Sequence, residues 1–142
     1  MKRLKLFFWL VDTGFIAYWL VTLLGVIPAQ YLFKDYHDPI LMAWNWSFLP
    51  LDLVVSFTGL RAIRLAHVGD PRWPGWALLS LVLTSSSGLM AIAFWLIRLD
   101  FDVWWWLPNG FLLVYPWFFI PRLMAGTQTQ LGATATVARD SR

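Results

Sequence analysis

The sequence predicts an all-α integral membrane protein, a bundle of four transmembrane helices with both termini in the cytoplasm. Of its 142 residues, 59% are hydrophobic and only 13% are charged, whereas a soluble domain carries about a quarter charged residues. Four apolar stretches are long enough to cross the hydrocarbon core of a bilayer, which takes about 20 residues of helix. These stretches occupy most of the chain, so no length remains for a separate soluble domain.

The four predicted spans are separated by segments in which polar residues and helix breakers concentrate. They cover residues 6–27, 43–60, 76–97 and 103–120. Residues 28–42 form a mixed loop, residues 61–75 form a basic loop that contains prolines, and residues 98–102 form a very short turn. We expect the first span to be retained rather than cleaved as a signal peptide, because it is long and contains Asp12. Residues 123–142 are expected to form a disordered cytoplasmic tail.

The distribution of basic residues predicts the orientation. All of the 11 Lys and Arg residues except Lys34 and Arg98 lie before the first span, in the loop after the second span, or after the fourth. Loops rich in Lys and Arg stay in the cytoplasm, which places both termini there. The net charge of +3 is therefore a feature of topology. The basic residues form no block typical of nucleic-acid binding, so we expect membrane lipids as neighbours and no nucleic acid as a partner.

The residue types exclude several kinds of chemistry. The chain has no Cys, which excludes disulfides, thiolate nucleophiles and thiolate metal sites. His37 and His67 lie in loops on opposite sides of the predicted membrane and cannot share a metal ion. The sequence contains no phosphate-binding loop, no nucleophile motif and no metal-ligand spacing. We therefore expect neither a metal nor a cofactor.

Two acidic residues lie well inside the predicted spans. All eight acidic residues are Asp, and only Asp12 and Asp52 have this position. A carboxylate at the bilayer centre costs a few kcal/mol, so it normally faces the bundle and serves a function. At 1.5 Å per residue, Asp12 lies roughly 9 Å from the cytoplasmic side and Asp52 roughly 13 Å from the opposite side. The two differ by about 7 or 8 Å in height in a core of about 30 Å, and we take both as candidate catalytic residues.

Small and polar residues repeat at helical spacing on two spans. One face of the second span carries Asn45, Asp52, Ser56 and Gly59, and one face of the third carries Ser80, Thr84, Ser87 and Ala91. Both stripes would be unfavourable against lipid, so we expect them to point inward, surrounded by Trp side chains that include Trp95 and Trp105. The candidate ligand-binding residues are Asn45, Trp44, Trp46, Ser56, Trp19, Thr84, Ser87, Asn109 and Tyr115.

Each of these residues also has a purely structural explanation. Ser, Thr and Gly at four-residue spacing commonly mediate close helix packing in membranes. Asn45 and Asn109 suit an interhelical hydrogen bond as well as a ligand contact. Asp52 would be structural if it formed a buried pair with Asn or Ser. Asp12 lies nearer a boundary, where exposure to water or pairing with Lys5 is the alternative.

Two segments resemble the YvaD-like family of uncharacterised bacterial membrane proteins. They are the WNWSFLPLDL segment at 44–53 and the preceding YLFKDYHDP run at 31–39. The DTG sequence at 12–14 and the YW pair at 18–19 fit the same family. The resemblance covers nearly all of the chain except the tail, and the motif of the second span is specific. It implies a multi-pass protein of four spans in a bacterial inner membrane and brings no function with it.

A more distant resemblance is to the EXPERA superfamily, which includes sterol isomerases and the sigma-2 receptor. There a Lys-acid-aromatic-x-Asp-Pro loop leads into a span with an acid, as the loop 34–39 leads to Asp52 here. The VYP sequence at 114–116 and the IP pair at 120–121 resemble the last span of that superfamily. The matches are short, and some of its acidic pocket positions have no counterpart in this chain. The resemblance implies an intramembrane pocket.

Three functions are compatible with these observations. The first is an Asp- and Trp-lined pocket for a lipophilic small molecule, in which an Asp pairs with a cation or transfers a proton. The corresponding reaction is isomerisation or cyclisation of an isoprenoid-like substrate. The second is a non-enzymatic subunit of an oligomeric transporter or a membrane partner protein, in which a homo-oligomer forms through the small-residue stripes. Asp12 and Asp52 would then guide protons or cations. The third is an assembly or stabilising role.

Overall fold

The computed structural model describes residues 2–26, 28 and 35–126, and every regular element within them is helical. The elements are α1 (Lys2–Leu23), α2 (Pro39–Trp46), α3 (Phe48–His67), α4 (Trp73–Ile97), α5 (Val103–Val114), a 3₁₀ turn (Tyr115–Phe118) and a helical segment at 120–126. The predicted all-α fold class is confirmed. Three helical segments are long and apolar enough to cross a membrane, by length and composition: α1, the combined segment Pro39–His67, and α4.

The second predicted span starts earlier and ends later than the sequence indicated. Residues 39–42 were expected in a loop but belong to α2, whose first residue is Pro39. Proline suits this position because its missing N–H would have no partner in the first turn. Asp38 caps the helix, since its side chain accepts hydrogen bonds from the backbone N–H groups of Ile40 and Leu41.

One interruption separates α2 from α3. It falls at Ser47, three residues before Pro50. Pro50 has no N–H to donate to the carbonyl of Trp46, which ends the regular bonding of α2. Within α3 the same proline lies in the first turn, where it is tolerated. The helix then continues to His67 instead of ending at Leu60, because nothing between them breaks it.

The fourth predicted span is divided. We expected one span over 103–120, but α5 ends at Val114 and a 3₁₀ turn follows, because Pro116 cannot donate its backbone hydrogen bond. The Ser85 hydroxyl of α4 donates to the carbonyl oxygen of Leu113 at 2.9 Å and accepts from the indole N–H of Trp117 at 3.0 Å. Helix then resumes over 120–126, so the first residues of the predicted disordered tail are helical, and the rest of that tail lies outside the described residues.

The longer helices pack side by side in chain order. α3 contacts both α1 and α4, and α4 also contacts α5. The main cluster of buried apolar residues comprises Leu4, Phe8, Val11, Ala62, Ala77, Leu81, Tyr115 and Ile120. Large apolar side chains also lie on the outer faces, where Leu10 is 62% and Met90 is 59% exposed. A lipid environment accommodates such exposure, in agreement with a membrane bundle.

Candidate functional site

The Asp52 carboxylate connects three helices. It is 4% exposed. Its Oδ2 accepts a hydrogen bond from the indole N–H of Trp19 at 2.9 Å, and its Oδ1 accepts one from the Ser87 hydroxyl at 3.1 Å. Both oxygens therefore have partners, one on α1 and one on α4. This arrangement matches the structural alternative of a buried pair with Ser, extended by a Trp donor.

The Asp12 carboxylate has a different environment. The side chain is completely buried, and neither carboxylate oxygen has a hydrogen-bond partner among the described residues. The alternatives of water exposure and of pairing with Lys5 are both wrong in this structure. The backbone of Asp12, unlike its carboxylate, bonds to α3: its carbonyl oxygen accepts a hydrogen bond from the Ser56 hydroxyl at 3.0 Å. Buried polar groups without partners are rare in folded proteins, so such a carboxylate needs an explanation.

Gly59 contacts this carboxylate, and Tyr115 lies within its electrostatic range. A Cβ atom placed on Gly59 would lie 2.7 Å from Cγ of Asp12, so only glycine leaves room for the acid against α3. The Tyr115 hydroxyl is buried beside Thr84, within electrostatic range of Asp12, and makes no hydrogen bond of normal geometry with the described residues. The Thr84 hydroxyl donates to the carbonyl oxygen of Ser80 in its own helix at 2.8 Å. An acid without a partner among the described residues and a buried phenol beside Thr84 thus lie within electrostatic range of each other.

The two acids occupy neighbouring levels of the bundle and do not share one hydrogen-bond network. Asp52 and Gly59 are two helical turns apart on α3, which corresponds to roughly 10 Å. Ser56 lies between them on the same face and bonds to the backbone of Asp12. The carboxylate of Asp52 is held by Trp19 and Ser87, whereas that of Asp12 lies against Gly59. The face of α3 that carries Asp52, Ser56 and Gly59 therefore contributes to two separate sites, one at Asp52 and one at Asp12.

The Trp side chains form two groups, not one lining around the polar stripes. Trp46 lies beside Trp19, with ring centroids 5.4 Å apart, and so belongs to the Asp52 site. Trp44 meets Trp95 edge to face at 5.7 Å, and Trp105 lies 6.5 Å from Trp95. This second group is part of the packing among α2, α4 and α5. Trp44 and Trp46 are two residues apart in α2, so helical spacing places them on different faces, and this spacing is the signal that could have separated the groups.

The two candidate amides have local partners. The oxygen Oδ1 of Asn45 accepts a hydrogen bond from the Tyr18 hydroxyl at 3.2 Å. The side-chain nitrogen of Asn109 donates to the carbonyl oxygen of Trp105 in its own helix at 2.8 Å. Tyr18 was not among the predicted site residues. Trp19 lies seven residues after Asp12 and therefore on the same helical face. Tyr18 is next to Trp19, and this position could have identified it as a site residue.

The polar stripe of α4 is buried as expected, but only part of it reaches an acid. Ser80 and Thr84 are fully buried, and Ser87 is 3% exposed. Ser87 alone bonds to a carboxylate, while the Ser80 hydroxyl donates to the carbonyl oxygen of Val55 at 3.4 Å. Within residues 2–26 and 35–126, no group of three His, Asp or Glu side chains is arranged to hold a metal ion.

Comparison with known proteins identifies relatives without an assigned function. The model of a family described as "Family of unknown function (DUF5360)" matches residues 4–130. "Uncharacterized protein YvaD" from Bacillus subtilis (strain 168) is 50% identical over 124 residues, which cover 87% of this chain and 93% of that protein. No solved structure matches the chain. The resemblance to the YvaD-like family is confirmed, whereas the resemblance to the EXPERA superfamily stays a prediction.

Proposed function

The chain belongs to the family of unknown function DUF5360, and we propose that it binds a lipophilic molecule inside its membrane bundle at the buried acid Asp12. One observation carries the proposal: Asp12 is completely buried without a partner for either carboxylate oxygen among the described residues. The other buried acid, Asp52, has a partner for each oxygen. Asp12 is therefore the acid left for a ligand.

The chemistry of the Asp12 site suits a ligand with a positive or proton-accepting group. A carboxylate buried without a partner is costly, and a bound cation or proton removes that cost. Tyr115 adds a buried hydroxyl within electrostatic range of the acid. Because Gly59 presses α3 against the acid, an organic group would have to reach the carboxylate from another side.

The corresponding reaction is the movement of a double bond in an isoprenoid-like substrate. The Asp12 carboxyl group would give its proton to one alkene carbon, and the resulting carboxylate would take a proton from the carbon next to the cation. The double bond shifts and the acid is regenerated, so no oxidant or other reactant is needed. The Tyr115 hydroxyl would stabilise the carboxylate while it is ionised. Cyclisation would begin with the same proton transfer.

A second candidate function is proton or cation transfer in an oligomer. The observation that favours it is the tight packing of Asp12 against Gly59, which accommodates a proton more readily than an organic group. Asp52 lies at the next level of the bundle and would provide a further acidic group along the same face of α3. In this case the protein would act as a transporter subunit or a partner of another membrane protein, not as an enzyme.

Binding of a lipophilic amine tests the first function. We expect the purified protein in nanodiscs to bind dodecyldimethylamine more tightly than dodecanol, which has the same chain but no basic nitrogen. Asp12→Asn should abolish this preference while its melting temperature stays close to that of wild type. Tyr115→Phe should weaken the preference, and Asn109→Ala is the matched control outside the site. An equal preference in wild type and Asp12→Asn would contradict the proposal.

Proton flux tests the second function on the same variants. Proteoliposomes that contain a pH-sensitive dye are given a pH gradient, and dissipation of the gradient is followed in wild type and Asp12→Asn. Flux that is present in wild type and lost in the variant, without any amine preference, would favour proton transfer. Flux at the level of empty liposomes would exclude it under these conditions.

A further inference from the structure

A groove at one end of the bundle combines basic and apolar side chains. It lies between the start of α1, the start of α4 and the last helical segment, and its volume is about 300 Å³. Its lining residues are Lys2, Arg3, Leu4, Trp73, Phe119, Arg122 and Leu123. This volume is at the lower end of the range for small-molecule sites, and it accommodates a headgroup better than a large ligand.

The charges of the groove are all positive. Lys2, Arg3 and Arg122 contribute cations, and no lining residue is acidic. The ion pairs of the described residues lie elsewhere: Arg72 pairs with Asp70, and Arg98 pairs with Asp35. Three cations held around one cavity repel one another, so an anion that enters lowers the energy of the groove. Arginine also presents the planar set of donors that suits phosphate oxygens.

The backbone adds to this preference for an anion. α1 begins at Lys2 and α4 begins at Trp73, so the positive ends of two helix dipoles lie at the groove. The first turns of both helices contain no acidic residue. The first N–H groups of α1 have no carbonyl partner within the helix and favour an anion nearby. At the start of α4, Pro74 has no N–H and the Asp70 carboxylate already accepts the backbone N–H of Arg72 at 2.9 Å, so that helix contributes less.

The floor of the groove is apolar, which distinguishes an amphiphile from a free ion. Leu4, Phe119 and Leu123 line it together with the Trp73 indole. A small apolar crevice shares Leu4 and Trp73 with the groove and continues along α1 past Phe8. Trp is typical of the interface between headgroups and hydrocarbon. An inorganic anion would gain nothing from these surfaces, whereas a lipid would contact them with its acyl chains.

We propose that this groove binds the phosphate headgroup of an anionic phospholipid. Its three cations and the start of α1 would hold the phosphate, and the apolar lining would contact the glycerol and the first part of the acyl chains. The site is separate from the Asp12 region inside the bundle. Basic pockets at the cytoplasmic ends of membrane helices bind anionic headgroups in this way, and the predicted orientation places the groove at that side.

Native mass spectrometry of the full chain in detergent tests this proposal. We expect phosphatidylglycerol to bind at least tenfold more tightly than phosphatidylcholine with the same acyl chains. The variant Lys2→Gln/Arg3→Gln/Arg122→Gln should lose about a hundredfold in affinity for phosphatidylglycerol, at about fivefold per cation. The control is Arg61→Gln/Arg64→Gln/Arg98→Gln, which removes the same charge outside the groove and should retain the affinity.

Three results would overturn the proposal. They are equal affinity for the two lipids, equal loss in both triple variants, and displacement of phosphatidylglycerol by an equal concentration of inorganic phosphate. If the first triple variant fails to fold, Arg122→Glu decides, because it keeps Lys2 and Arg3 in the first turn of α1. A folded Arg122→Glu protein should bind phosphatidylglycerol at least fivefold more weakly, and an unchanged affinity would contradict the site.

Discussion

The carboxyl group of Asp12 lies directly against the backbone of Gly59, in a space that no larger residue leaves open. This contact joins α1 to α3 and seals one side of the acid. It also explains why a helix interior contains a glycine, which is otherwise unfavourable there. Gly59 follows Asp52 by two helical turns on the same face of α3. This one face therefore carries Asp52, which has hydrogen-bond partners, and also the glycine that packs against Asp12, which has none among the described residues.

The first prediction concerns this contact. Gly59→Ala places a methyl group where the Asp12 side chain lies, so α1 and α3 must separate or the acid must move. We expect a loss of about 1–3 kcal/mol in stability, as for other overpacked cores, measured as a lower melting temperature. Gly14→Ala is the control, because a Cβ there meets nothing within 4 Å. The double variant Asp12→Ala/Gly59→Ala should recover much of the loss, since the acid no longer obstructs the methyl group.

The second prediction separates the two acids. Asp52→Ala leaves the buried indole N–H of Trp19 without an acceptor, which costs about 1–3 kcal/mol, so we expect a clearly lower melting temperature. Asp12→Ala removes no hydrogen bond made by the carboxylate to described residues, and its melting temperature should stay equal to that of wild type or rise. Thermal unfolding followed by near-ultraviolet circular dichroism measures both. The reverse order of stabilities would show that Asp12 is the structural acid.

The third prediction concerns the break after α5. Ser85→Ala removes both the donor to Leu113 and the acceptor of the Trp117 indole N–H. We expect a loss of about 1–2 kcal/mol and faster amide hydrogen exchange around the 3₁₀ turn. Ser86→Ala is the neighbouring control, because that exposed hydroxyl bonds only to the Val82 carbonyl of its own helix. Equal effects of the two variants would mean that Ser85 does not stabilise the break.

The fourth prediction concerns topology. Reporter domains fused after Arg122 and within residues 61–72 should both be cytoplasmic, and one fused near Lys34 should be external. Lys2 and Arg122 line one groove, so the start of α1 and the helical segment at 120–126 lie at the same end of the bundle. An even number of membrane crossings requires this arrangement. Accessibility of each reporter to a membrane-impermeant reagent measures its location. A cytoplasmic reporter near Lys34 would contradict the four-span topology.

Helix type and inward faces were predictable from this sequence, because both depend on local pattern. Continuous apolar runs predict long helices, and the positions of Asp52, Ser56 and Gly59 predict one buried face. The roles of the two acids were not predictable. They depend on which donors lie opposite: Trp19 and Ser87 reach Asp52, while the glycine that faces Asp12 donates nothing. Such pairing is set by the rotation of each helix, which spacing within one helix does not contain.

The contacts of Asp52 also determine an order of assembly. Helices of a membrane protein enter the bilayer in the order in which the chain is synthesised. Because Trp19 belongs to α1, it is already present when α3 arrives with Asp52, so the carboxylate meets its first donor at once. Ser87 follows with α4 and completes the second bond. An acid that would be costly in hydrocarbon thus has a donor ahead of it in the chain, and Tyr115, which lies within electrostatic range of Asp12, is synthesised after both acids.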